Sequence, residues 1–199
     1  MTDLKSIYNG TMKYTYNGVL CLKNPFDFAI YQQIIFNIAP DLILEIGTNH
    51  GGSALYLADL LNVTSNGIVY SIDITDNDID KKVMLHPRIK LFSSGWQNFD
   101  VGLMKKFKKV IVIDDGSHQY KDVLGALNKF SSFVTNDSYY IVEDGVINQL
   151  GLESQYDRGP LRAINDFLKG NKNFMVDRYL CNYFGESTTF NTDGYLKRL

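Results

Sequence analysis

Cysteine is scarce in this 199-residue chain: only Cys21 and Cys181 occur, too few and too far apart for a zinc site or a disulfide framework. A reducing, cytoplasmic setting is therefore expected. Only three histidines are present, His50, His86 and His118, and no paired-histidine-plus-carboxylate site for iron is evident among them. An excess of charge is also lacking. Twenty Lys+Arg against 22 Asp+Glu give a formal net charge of −2, so no general electrostatic grip on nucleic acid is expected. Lys105, Lys106, Lys108 and Lys109 form a local basic cluster, read as the solvated end of a helix, where cations suit the dipole. No apolar run approaches membrane-spanning length, and Met1-Thr2-Asp3-Leu4-Lys5 lacks a charged region followed by an apolar core. Neither a membrane span nor a leader is expected. There is no repeat and no low-complexity linker.

What is present is ordinary globular material: 45% hydrophobic and 21% charged residues, enough for the chain to bury its own core. Strand-like and helix-like segments alternate, which argues for an α/β fold with a doubly wound, mostly parallel sheet. Asn24-Pro25 reads as a helix start, Phe26, Ile30, Ile34 and Ile38 follow at helical spacing, and Pro40 ends the helix. Strands are expected at 42–46, 68–73, 89–92, 110–113, 139–142, 174–176 and 188–190, seven in all. Ala54, Leu55, Leu57, Ala58, Leu60 and Leu61 give one helix an apolar face. Val123, Leu124, Leu127 and Phe130 mark a crossover helix, and Leu161 to Leu168 another. The polar stretch Asn148 to Gly159 is the candidate mobile loop. Residues 1–40 are taken as a segment and helix packed on the core formed by 41–199, one globular unit overall.

The run Leu42-Ile43-Leu44-Glu45-Ile46-Gly47-Thr48-Asn49-His50-Gly51-Gly52-Ser53 joins a buried strand to a helix through a glycine-rich turn, the place where α/β folds bind nucleotides. Glycine permits the sharp turn and close approach, and free N–H groups at the helix start attract electron-rich groups. A dinucleotide fingerprint needs G-x-G-x-x-G. Here glycines stand at 47, 51 and 52, with Glu45 two residues before the first. This E-x-G arrangement resembles the first motif of class I S-adenosylmethionine (SAM) methyltransferases, in which the turn passes under the methionine end of SAM. A tight strand–helix connection in any α/β protein would read similarly. The turn signal Ser65-Asn66-Gly67 precedes a second strand ending in Asp73, a carboxylate able to accept both hydroxyls of a ribose. Its competing reading is a helix cap or turn residue with Asp76.

Acids then gather at the ends of two later strands. Asp114-Asp115-Gly116-Ser117-His118 follows one and Glu143-Asp144-Gly145 the other, and carboxyl ends of parallel strands share one sheet edge. Crowded carboxylates repel unless a cation or protons intervene. A hard divalent ion, Mg²⁺ above all, answers that, and leaves coordination positions for substrate oxygens. His118 lies just beyond, and an imidazole is the side chain best suited to serve as a general base near neutrality. The alternative is that the acids cap helices and His118 hydrogen-bonds within its loop.

Taken together, several stretches resemble a known family. They are Pro40-Asp41-Leu42-Ile43-Leu44-Glu45-Ile46-Gly47, Gly51-Gly52-Ser53-Ala54, Ser71-Ile72-Asp73, His86-Pro87-Arg88-Ile89, Asp115-Gly116-Ser117-His118, Gly159-Pro160 and Gly194-Tyr195-Leu196-Lys197-Arg198. They are similar to the cephalosporin hydroxylase-like and rhamnosyl O-methyltransferase group, related to metal-dependent macrolide-sugar O-methyltransferases, from about Pro25 onward. The resemblance implies a class I methyltransferase fold, SAM, Mg²⁺ and a homo-oligomer. Its D-x-x-H pattern selects Asp115 rather than Asp114 as first metal ligand, with Glu143 and Asp144 completing the set and His118 as base. Asp114 is then nearer the cofactor or a structural acid. SAM is expected along Glu45, Gly47, Thr48, Asn49, Gly51, Ser53 and Asp73, with Ser94 of the Ser93-Ser94-Gly95-Trp96 loop near the adenine. The chain lacks the large N-terminal additions of some members, so part of its substrate pocket is expected from a neighbouring subunit.

The expected activity is methyl transfer from SAM to a hydroxyl of a sugar or glycosylated small molecule. The "hydroxylase" in the family name finds no iron site here. Two other classes stay open: an NAD(P)-dependent oxidoreductase, which the glycine spacing disfavours, and a non-catalytic binding subunit of the same fold, which the intact acids disfavour.

Overall fold

A computed structural model describes residues 4–64 and 67–199. Ser65 and Asn66 of the expected turn, and Met1, Thr2 and Asp3 at the N-terminus, lie outside the described residues. The first elements are a helix, α1 (Leu4–Thr11), and a small hairpin of β1 (Thr15–Tyr16) and β2 (Val19–Leu20). Neither was anticipated, because both are short and weakly patterned. In α2 (Pro25–Ile38) the side chain of Asn24 accepts a hydrogen bond from the Phe26 N–H, and Ala39 leaves the helix in the left-handed conformation. That is the Asn cap with proline in the first turn that the sequence indicates.

The main run follows as β3 (Leu42–Ile46), α3 (Gly52–Thr64), β4 (Ile68–Ile72), α4 (Lys81–Met84), β5 (Ile89–Phe92), α5 (Gly95–Asn98), β6 (Val110–Asp114), α6 (Tyr120–Phe130), β7 (Tyr139–Val142), α7 (Gly159–Gly170), β8 (Phe174–Val176), α8 (Arg178–Cys181) and β9 (Tyr195–Arg198). Seven strands form one sheet in the order β5-β4-β3-β6-β7-β9-β8. Only β9 runs antiparallel to its neighbours β7 and β8. This is the doubly wound, mostly parallel sheet expected, and the chain reverses direction across it between β3 and β6, where such sheets bind ligands.

One strand was misplaced. Thr188-Thr189-Phe190 is buried but forms no ladder; the last strand is Tyr195–Arg198. The Thr189 hydroxyl and the Phe190 N–H both donate to the buried Asp27 carboxylate of α2 instead of to a strand. The true strand was hidden because two apolar residues followed by two basic ones do not alternate. The basic cluster at 105–109 is exposed, as expected, but it follows a single 3₁₀ turn, Val101–Met104, rather than an α-helix.

Strand alternation builds two cores. Ile43, Ile111, Ile113 and Ile141 face α2, α3 and the N-terminal hairpin. Leu42, Leu44, Val112 and Val142 face α6 and α7 on the other side. With both faces covered, the carboxyl edge of the strands is where such a sheet places its chemistry.

Candidate active site

The four central strands finish in register. Ile46 lies beside Ile72 and Asp114, and Asp114 beside Val142. The next residue of each strand therefore continues the row: Gly47, Asp73, Asp115 and Glu143. Backbone bonds extend the ladder through them, from Gly47 N–H to the Ile72 carbonyl, Asp115 N–H to Ile46, and Glu143 N–H to Asp114.

At the β3 and β4 end, Gly47 has φ +97°, and a Cβ there would lie 2.0 Å from the Asp115 carbonyl oxygen. Only glycine lets the first turn pass that close to the next loop. Asp73 holds the turn: its Oδ2 accepts from the N–H groups of Thr48 (2.8 Å) and Asn49 (2.9 Å), and its Oδ1 from Ile74 N–H (2.7 Å). It is thus neither a helix cap nor a free carboxylate, although a carboxylate has about four acceptor positions and keeps room for a ligand hydroxyl. Glu45 is fully buried and accepts from the hydroxyls of Ser53 (2.5 Å) and Ser71 (2.6 Å). Burial pushes its carboxyl up to about 7, against the pull of Lys23 and the two serines.

At the β6 and β7 end the acids meet cations. The Lys23 ammonium, 3% exposed, pairs with Asp115 Oδ2 and, at 2.6 Å, with Glu143 Oε1. Burial works against its charge, but Asp115, Glu143 and Glu45 outweigh it and hold the ammonium well above lysine's ordinary value. Burial likewise raises Asp115 and Glu143, with Lys23 pulling both back. Asp144 is raised by burial and drawn down by His118. The His118 Nε2 stands 3.4 Å from Asp144 Oδ2 and 3.8 Å from Asp115 Oδ1. Donor atoms of Asp115, His118 and Asp144 all lie within 4.8 Å of one another: two hard carboxylate oxygens that suit a divalent cation, with an imidazole beside them. His118 and Asp144 both carry φ of 57°, a left-handed geometry costing about 1 kcal/mol per residue.

Two cavities open along this edge. One, of about 520 Å³, runs past Asp73, Ile74, Gly95, Trp96 and Gln97. The other, of about 310 Å³, lies over Thr48, Ser53, Lys23, His118 and Asp144 under a mainly apolar roof. They share Gly47, Asn49, Asp115 and Gly116. Among the expected cofactor residues, Gly47, Thr48, Asn49, Ser53 and Asp73 line a cavity, whereas Glu45, Gly51 and Ser94 line neither. Glu45 reaches the cavity wall only through Ser53. Gly51 packs on Val83, and Ser94 is an exposed residue at the start of α5 whose carbonyl accepts from Asn98. Asp114 also lies outside both: it is 3% exposed, accepts from the Tyr140 hydroxyl and Gly116 N–H at 3.4 Å each, and is raised by burial to about 7. Glu143, expected as a metal ligand, is turned onto Lys23 and lines neither cavity.

Three features escaped the sequence reading. Lys23 is the first; a lysine just before a helix N-terminus opposes the dipole, and that misfit was the available signal. Tyr31, buried on α2, is near enough to Glu143 to draw its carboxyl down, and accepts from the Asn191 amide. The N-terminal segment is the third. Tyr8, Met12, Leu20 and Leu22 roof the smaller cavity. A Cβ on Gly52 would lie 2.3 Å from the Leu20 carbonyl oxygen, so the hairpin sits directly on the start of α3. The 148–159 stretch contains a 3₁₀ turn, Glu153–Tyr156, and Leu150, Leu152 and Tyr156 complete the roof. His50 and His86 lie elsewhere, bonded to the Asp78 carbonyl and near Asp59. Both cysteines are buried and free, and no helix among the described residues is long and apolar enough to cross a membrane.

This geometry can be set beside known proteins. A rhamnosyl O-methyltransferase of Mycobacterium leprae (strain TN) is 28% identical over 193 residues, covering 92% of this chain and 82% of that one. Its counterpart in Mycobacterium tuberculosis (strain ATCC 25618 / H37Rv) is 26% identical over 164 residues, 78% of this chain and 66% of the relative. Among solved structures, CmcI with Mg and SAM superposes with a TM-score of 0.71 at 20% identity, over 94% of this chain and 77% of that chain. MycE methyltransferase of the mycinamycin biosynthetic pathway, with Mg, SAH and mycinamycin VI, gives 0.52 at 22% identity, over 84% of this chain and 45% of that chain. The sheet is thus that of class I methyltransferases. A match of residues 8–199 to the model of the Rhamnosyl O-methyltransferase/CmcI family completes the comparison: the chain belongs to that family.

Proposed function

We propose that this protein is a SAM- and Mg²⁺-dependent O-methyltransferase acting on a hydroxyl of a sugar or of a glycosylated small molecule. The observation that carries the reading is the junction of two cavities at Gly47, Asn49, Asp115 and Gly116. The larger offers a carboxylate, Asp73, and an indole, Trp96, as a nucleoside requires. The smaller offers paired acids and an imidazole, as a hydroxyl acceptor requires. Family membership and the glycine spacing both turn the reading away from a dinucleotide oxidoreductase.

SAM brings a methyl group already activated on a sulfonium, so the chain has to align an oxygen with it and remove one proton. Asp115 Oδ1 and Asp144 Oδ2 are the oxygens best placed to hold Mg²⁺, which supplies a Lewis acid for the acceptor oxygen. Glu143 stands behind Asp115, both on Lys23. His118, beside the acids and open to the smaller cavity, takes the acceptor proton. The apolar roof keeps water from competing with the acceptor. Holding both reactants in line accounts for much of the rate enhancement, since little covalent chemistry falls to the protein.

The test is transfer from radiolabelled SAM to a panel of free sugars and glycosylated acceptors, with Mg²⁺ present. A methylated sugar hydroxyl is the expected product. Folded protein that binds neither SAM nor S-adenosylhomocysteine (SAH) would overturn the reading.

A further inference from the structure

We infer that Lys23 is the built-in counter-ion of the acidic cluster, a positioning residue that keeps Asp115 and Glu143 in place when no divalent cation is bound. The inference rests on the cation-site reading above only for where Mg²⁺ acts; the ion pairs themselves are observed. Asp115, Glu143 and Asp144 converge within one small volume, and Asp115 and Glu143 have 21% and 5% exposed side chains. Water screens acids so placed only in part, and unbalanced they would repel. Lys23, brought among them, lies 92 and 120 residues away in sequence from its two partners.

Nothing local favours a cation there. Lys23 directly precedes the Asn24 cap of α2, where the helix dipole repels positive charge. Its side chain is as buried as the core around it. What holds it is the pair of carboxylates, one oxygen from each. Asp115 keeps its other oxygen toward His118, at 3.8 Å. Lys23 therefore fixes which Asp115 oxygen faces the smaller cavity, and it makes the fold independent of the metal.

The experiment is thermal unfolding of the full chain with excess EDTA and with MgCl₂, for the parent and Lys23→Met. The parent should melt at nearly the same temperature in both. Lys23→Met should lose about 10 °C in EDTA, because one partner of a buried ion pair is removed, and recover much of that with Mg²⁺, in a saturable way. It should also bind Mg²⁺ at least about tenfold more tightly than the parent by calorimetry, since a competing positive charge is gone. Lys23→Met/Glu143→Gln, with one acid neutralised as well, should regain part of the loss in EDTA. A Lys23→Met protein as stable as the parent in EDTA would overturn the inference. So would one that neither Mg²⁺ nor the second substitution restores. If the parent shows no Mg²⁺ binding while Lys23→Met stays destabilised and the double variant recovers, the cation-site reading fails and the counter-ion role stands.

Discussion

The two ends of the site use carboxylates in opposite ways. At the glycine turn, Asp73 and Glu45 are met by neutral donors: three backbone N–H groups for one, two serine hydroxyls for the other. Such acids hold shape, because each donor they accept fixes a loop or a strand end. Past the ends of β6 and β7, Asp115, Glu143 and Asp144 are met by an ammonium or an imidazole, and Asp115 and Asp144 border a cavity. Such acids hold charge. On the proposed function, the contrast separates a binding end, held rigid by neutral donors, from a reacting end that would bind the cation and take the proton.

The contrast breaks most completely if the reacting end works without its cation. Excess EDTA should reduce turnover to background while the circular dichroism spectrum of the fold is retained, since Mg²⁺ ligands on an open loop edge exchange readily. Full activity in EDTA would remove the metal from the mechanism. Next in size is His118→Gln. As base it should lower kcat roughly a hundredfold with little change in SAM affinity. A histidine that only braces its loop would lower Tm or cofactor affinity and leave kcat nearly intact, which would shift the base assignment to another group.

How much of this was legible depends on range. The strands ending in Ile46, Ile72, Asp114 and Val142 are mostly apolar runs, interrupted by Glu45 and Ser71, and their alternation with helices implies a parallel sheet, so the edge and its acids could be read directly. The Asp115 and His118 pair sits within one turn of chain and carries a recognisable motif. Lys23 could not be assigned, because its partners lie 92 and 120 residues distant and a single lysine has no periodicity. Glu45, expected beside the cofactor because it stands two residues before the turn, accepts from Ser53 and Ser71, partners 8 and 26 residues away that no local spacing reveals. Thr188-Thr189-Phe190 looked like a strand because threonine and phenylalanine favour strands; Asp27, 162 residues away from Thr189, claims its donors instead.

That anchor gives the smallest predicted effect, far from both ends. Burial raises Asp27 to about 7, against the opposing bonds from Thr189, Tyr195 and Phe190 N–H, with Glu143 nearby adding to the rise. The unfolded chain titrates this group near 4, so between those values the folded protein holds a proton that the unfolded chain has released. This contribution to stability is complete below about pH 4 and is lost as pH rises through about 7. Asp27→Asn should thus narrow the difference in Tm between about pH 5 and about pH 8 by a few degrees. An unchanged difference would show that Asp27 stays ionised throughout. Glu45 and Asp114, raised in the same way, should keep part of the slope in the variant.

The division between a binding end and a reacting end is tested most directly by calorimetry with SAH on two variants. Asp73→Ala should weaken SAH binding about tenfold or more, since it removes a charged acceptor and frees the turn that Thr48 and Asn49 form. Asp144→Asn, which borders only the smaller cavity, should leave SAH affinity within about threefold of the parent while abolishing Mg²⁺-dependent turnover. The reverse pattern, with SAH binding intact in Asp73→Ala and lost in Asp144→Asn, would contradict the account.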